Sequence, residues 1–313
     1  MGWNSGFRSM GSFVLTTGLI VSLLAMAWTT ASGAEPVSVF VSIVPQKYFV
    51  EKIGDGLVKV SVMVKPGANP ATYEPEPHQM VALSKAKIYF AIGVPFETAW
   101  LKRIAAANPE MLIVHTEEGI EKRPMEAHYH GEENHAIPER KTKEGIEEHQ
   151  GIKDPHIWLS PPLVKIQARN ILEALLRIDP DRGTLYESKY KKFITEVDAL
   201  DTKIKRIFSG KGESLEFMVF HPAWGYFAQA YGLKQVAVEI EGKEPRPADL
   251  KRLIHHAKER DIKVVFVQPE FSTKSAETIA KAIEGQVIFA SPLAPDWARN
   301  LEEVAAKFKA ALR

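Results

Sequence analysis

Residues Arg182 to Phe208 read RGTLYESKYKKFITEVDALDTKIKRIF. The large apolar side chains Tyr186, Tyr190, Phe193, Val197, Leu200, Ile204 and Ile207 recur there at alternating spacings of four and three. That period places them on one face of a helix of about 40 Å at a rise of 1.5 Å per residue. A coiled-coil seam has the same spacing, but a lone seam of this length is marginal. The stretch is therefore expected to be one long helix packed across two lobes.

Both flanks of this helix read as α/β. Upstream, β-rich runs at 37–43, 58–64, 88–92 and 111–114 alternate with helical patterns at 46–53, 78–86 and 96–107, and a further helix runs over 161–178. Downstream, strands are expected at 217–220, 235–240, 264–267 and 286–290, with helices at 223–231, 247–260, 274–283 and 297–312. Such alternation implies parallel sheets covered by helices. The expected division is a signal peptide at 1–34, an N-terminal lobe at 35–180, a linking helix at 181–210 and a C-terminal lobe at 211–313.

Composition narrows the function classes. The chain has 313 residues, 45% hydrophobic and 25% charged, which are globular values. Forty Lys and Arg face 39 Asp and Glu. No basic tract interleaved with aromatics occurs, so nucleic acid is not an expected partner. Arg8, an apolar run from Phe13 to Trp28 and the small residues Ala31-Ser32-Gly33-Ala34 have the layout of a secretory signal; an uncleaved anchor is the competing reading. Cysteine is absent. The exported chain thus has no disulfide and no thioether-linked lipid, so a free periplasmic protein is expected rather than a lipoprotein; a monomer is expected as well. Any metal site must use nitrogen and oxygen donors.

Residues 121–153 interrupt the α/β pattern. They place His128, His130, His135 and His149 among many Glu and Lys with few large apolar residues. A surface loop that collects metal ions is one reading, and a solvated insertion is the other.

Ligands of open α/β sheets bind beyond the carboxyl ends of the strands. His221 follows Met218-Val219-Phe220, Glu270 follows Val267-Gln268-Pro269, His115 follows Leu112-Ile113-Val114, and Ser291 follows Phe289-Ala290. His156 comes after the loop, in Asp154-Pro155-His156-Ile157-Trp158. His156 and His221 both sit beside proline and aromatic neighbours, a rigid setting for a metal-ligating imidazole. Hydrogen-bonded core or capping roles remain open for each. His255-His256, on the expected helix at 247–260, reads as a surface pair.

Three segments carry a family resemblance. Val64-Lys65-Pro66-Gly67-Ala68-Asn69-Pro70-Ala71-Thr72-Tyr73-Glu74-Pro75, Asp154-Pro155-His156-Ile157-Trp158-Leu159-Ser160-Pro161, and His221-Pro222-Ala223-Trp224-Gly225-Tyr226-Phe227 resemble, in order, ligand segments of the zinc/manganese-binding solute receptors of ABC transporters, the ZnuA/TroA-like type. The resemblance implies two Rossmann-like lobes joined by a rigid helix, with Zn2+ or Mn2+ held in the cleft and passed to a membrane permease. His156 and His221 match the family's ligand histidines. Ala71 and Ser291 stand where the family carries a ligand His and a ligand Asp. Glu270, Glu239, Glu241, His115, His78 and Glu74 are the candidates to fill in, while Asp296 is expected to cap the helix starting near Trp297. Trp158, Trp224 and Tyr226 are expected to wall the cleft. Two alternatives follow from the missing ligands: a receptor of this fold for a chelated metal or organic solute, and a zinc hydrolase built on His156, His221 and Glu270.

Overall fold

The structure is a computed structural model that describes residues 1–3, 35–125, 153–210, 215–240 and 242–312. The expected signal peptide over 4–34, Glu241, and the loop residues His128, His130, His135 and His149 lie outside the described residues. Pro36–Arg313 form one unit.

The first sheet holds β1 (Val37–Val41), β2 (Val58–Val62), β3 (Ile88–Ala91) and β4 (Leu112–His115), all parallel, in the order β2-β1-β3-β4. The second holds β5 (Leu215–Val219), β6 (Leu233–Ala237), β7 (Val264–Val267) and β8 (Gln286–Phe289) in the equivalent order β6-β5-β7-β8. The central strands β3 and β7 are buried along their whole length, as strands covered on both faces must be. The order reverses between β5 and β7, which makes the exits of those two strands the crevice of the second sheet.

Proline starts most of the helices. It occupies the first turn of α1 (Val44–Gly54), α2 (Pro77–Leu83), α3 (Pro95–Ala107), α4 (Pro161–Ile178) and α7 (Pro247–Glu259), where its missing N–H has no partner to lose. Gly225–Ala230 forms α6, Lys274–Ala282 α8 and Trp297–Ala311 α9. Asp296 caps α9 by accepting the Arg299 backbone N–H at 3.3 Å, as expected.

The long helix is present as α5 (Gly183–Phe208), 26 residues that end just before Gly210 at φ 74°. It buries Tyr186, Phe193, Val197, Leu200, Ile204 and Phe208; Tyr190 and Ile207 lie at the edge of the stripe. The buried face packs on α4, on α1 of the first sheet's layer and on α9 of the second's. Phe49 of α1 touches both Phe193 and Trp297, with ring centroids 6.0 and 5.1 Å apart. Ion pairs Lys52–Glu196 at 2.6 Å and Lys203–Glu302 at 2.7 Å flank that contact. One hydrophobic core thus runs from the first sheet through α5 to the second, and a smaller core lies under α7 and α8. Among the described residues no helix is long and apolar enough to cross a membrane.

Candidate metal centre

His221 emerges two residues past β5, at the crevice where the strand order reverses. Gln268, past the neighbouring strand β7, holds its main chain from both sides: the Gln268 Oε1 accepts the His221 N–H at 3.2 Å, and the Gln268 amide donates to the His221 carbonyl at 2.7 Å. Phe271 stacks on the imidazole, with centroids 4.7 Å apart and planes 18° apart. The Nδ1 edge of the ring meets the Glu239 carboxylate at 2.7 Å.

His156 lies in the segment that leads into α4. Its Nδ1 meets the Asp154 Oδ1 at 2.7 Å, and the same oxygen accepts the His156 backbone N–H at 3.0 Å. Trp158 packs beside the ring at 5.1 Å. The Trp158 indole donates to the Pro292 carbonyl at 2.7 Å, and the Trp297 indole donates to the Trp158 carbonyl at 2.6 Å. Tyr226 donates to the Asp154 carbonyl at 3.0 Å and accepts the Arg123 backbone N–H, also at 3.0 Å. Burial of Tyr226 pushes its hydroxyl up to about 12, so it stays a neutral donor.

The two histidines meet. Their Nε2 atoms are 3.2 Å apart, with ring centroids at 5.1 Å and planes at 70°. Burial holds His156 below its ordinary value, against the opposing pull of Asp154, and so favours the neutral ring that a metal requires.

The other candidates divide. Glu270 lies near His221; burial pushes its carboxyl up, and its Oε2 is buried without a hydrogen-bond partner. Glu239 does not present a free carboxylate, because its Oε1 is on His221 Nδ1. His115 is half exposed and pairs with Glu117 at 3.1 Å, and His78 is exposed beside Glu76 at 3.1 Å. Trp224, expected to wall the cleft, is instead fully buried against Phe227 and Phe308 in the core. Ala71 and Glu74 are exposed. The Ser291 hydroxyl accepts the Leu293 N–H at 3.2 Å. Among the described residues no group of three or more His, Asp or Glu side chains is closed around one point. His256 is not a surface residue: it is buried, with its Nε2 on Glu216 at 2.6 Å, while His255 stays exposed.

Sequence reasoning passed over Asp154, Gln268 and Phe271. The available signal was their position, two residues before His156 and on either side of Glu270 just past a strand end.

The model of the periplasmic zinc-uptake complex component A, ZnuA, matches residues 39–311. The chain belongs to the ZnuA family. The high-affinity zinc uptake protein ZnuA of Bacillus subtilis is 29% identical over 256 residues, which cover 80% of this chain and 77% of that protein. A ZnuA crystal structure superposes with a TM-score of 0.79 at 41% identity, covering 88% of this chain and 99% of that one. A zinc-bound deletion mutant of ZnuA gives 0.78 at the same identity, covering 88% and 98%. Members of the ZnuA family are substrate-binding components of metal uptake outside the cytoplasm, so the protein is not an enzyme and the hydrolase alternative falls.

Proposed function

We propose that this protein is the periplasmic receptor of an ABC transporter, and that it carries zinc, or manganese in its place, between the Nε2 atoms of His156 and His221. The observation that carries the reading is the 3.2 Å separation of those two nitrogens. Two imidazoles bound to one tetrahedral zinc at about 2.0–2.1 Å each have their nitrogens about 3.3 Å apart. The unpartnered Glu270 oxygen supports a third, anionic ligand, since an uncompensated buried carboxylate is costly until a cation arrives. The ion passes from this site to a membrane permease. The receptor works without a thioether-linked lipid, since the chain has no cysteine to carry one.

X-ray absorption at the zinc edge of the loaded protein tests the ligand set. Two imidazoles with oxygen making up the remainder are expected; one imidazole or none rules the site out.

A second reading has one observation in its favour. Ala71 offers no side-chain donor and the Ser291 hydroxyl is engaged by Leu293, which leaves the fourth position of a tetrahedral ion to water or to a donor atom brought by a chelating solute.

A further inference from the structure

Each histidine of the pair is gripped at the nitrogen that faces away from its partner. His156 Nδ1 is on Asp154 and His221 Nδ1 is on Glu239, both at 2.7 Å. A carboxylate offers only acceptors, so the proton of each neutral ring belongs on Nδ1 and each Nε2 is left with a lone pair. Both lone pairs then point into the same 3.2 Å gap. Two imidazoles free to choose would settle as donor and acceptor. Here both are held as acceptors, an arrangement that repels until a cation enters.

We propose that Asp154 and Glu239 are positioning residues for the cargo ion: they lock both rings in the Nδ1–H tautomer and so turn both Nε2 atoms into metal donors. Glu239, which strand-end position alone nominates as a ligand, thus acts through His221 instead of touching the ion. The proposal rests on the metal reading above and adds the roles of two residues to it. Oriented carboxylates on ligating histidines are a general means of fixing ring geometry and raising donor strength. They also place two negative charges beside a divalent cation in a site with little water.

The two carboxylates are not equivalent. Asp154 also accepts the His156 backbone N–H, so replacing it disturbs the segment as well as the ring. Glu239 comes from past β6, far along the chain, and is buried, while Gln268 fixes the His221 main chain independently. Replacing Glu239 therefore changes the His221 ring and the charge beside the pair, and little of the surrounding main chain. A glutamine there keeps the shape, but its amide either accepts from Nδ1 or donates to it, so the tautomer is no longer dictated.

The test combines nitrogen NMR of the imidazoles in the ion-free exported protein, at about pH 8 where free imidazole is neutral, with zinc titration of the parent, E239Q and D154N. The expected result is Nδ1–H on both rings of the parent, a mixed tautomer for His221 in E239Q and for His156 in D154N, and zinc affinity lower by about ten- to hundredfold in each. A bare Nδ1 on either ring of the parent overturns the proposal without any variant. So does an E239Q whose His221 tautomer becomes mixed while its zinc affinity holds at the parent value. If the tautomers shift as expected but the parent takes no zinc, the positioning stands and the metal reading fails.

Discussion

The Trp158 indole reaches across to the Pro292 carbonyl at 2.7 Å, fastening the segment that carries His156 to the loop that follows β8. Trp297 then donates to the Trp158 carbonyl and packs on Phe49 of α1. His156 is therefore set by the joint between the two sheets as well as by Asp154 in its own segment. W158F keeps most of the ring but leaves the Pro292 carbonyl without this donor. Its cost is expected at about 1–3 kcal/mol in urea unfolding, with weakened zinc binding alongside. A variant as stable as the parent would show that the joint does not depend on this bond.

Glu270 yields two effects of opposite sign. Burial raises its carboxyl, so the folded protein holds that proton more tightly than the unfolded chain does. Stability is therefore lost as pH rises past the unfolded value of about 4.3, where the group ionises. E270Q removes that loss, and the ion-free variant should melt at or above the parent temperature at neutral pH. Its zinc affinity should fall by more than about tenfold, which is 1.4 kcal/mol. A fall in both quantities would make Glu270 a structural residue instead.

Acid should weaken the site. Burial keeps the His156 imidazole below its ordinary value, so between the folded value and the unfolded value of about 6.5 the unfolded chain binds the extra proton. Stability contributed by neutral His156 is present above that window and lost as pH falls through it. Protons compete with zinc for the same nitrogen, so zinc affinity should drop once the pH falls below the lowered value of folded His156. Titrations across mildly acidic and neutral pH check this; constant affinity would exclude histidine ligation.

Ala71 invites a gain of function. It sits exposed in the first loop, with its N–H held by the Asn69 side chain at 2.8 Å. A71H restores the donor that the family resemblance leads one to expect there. If the loop lies within reach of the histidine pair, zinc affinity should rise by about tenfold or more. Unchanged affinity in the same titration would place the loop away from the ion.

The fold was legible because its signals are local and periodic. The stripe from Tyr186 to Ile204 could bury itself only as a helix, and the β-rich runs of each lobe are short, apolar and bounded by turns. His156 and His221 were legible for a different reason, since strand-end position and proline-aromatic surroundings both point to them. What the sequence did not resolve is which polar group faces which. Strand-end position nominates both Glu239 and Glu270, with Glu270 first, and only the fold reveals that Glu239 is engaged by His221 Nδ1 while Glu270 has a bare oxygen. Trp224 was misplaced because a helix start beside the cleft can also turn inward, toward Phe308. His256 was misread although Leu253 and Ala257 mark the buried face of α7, because the Glu216 that makes its burial tolerable lies 40 residues away.

The central claim is that His156 and His221 share one ion. Zinc titration of the ion-stripped exported protein beside a His156→Ala, His221→Ala double variant tests it most directly, with the histidines of residues 121–153 kept in both as a control for weak surface binding. One tight site in the parent that vanishes in the variant is the predicted result. No tight site in the parent, or one that survives the loss of both histidines, would contradict the account.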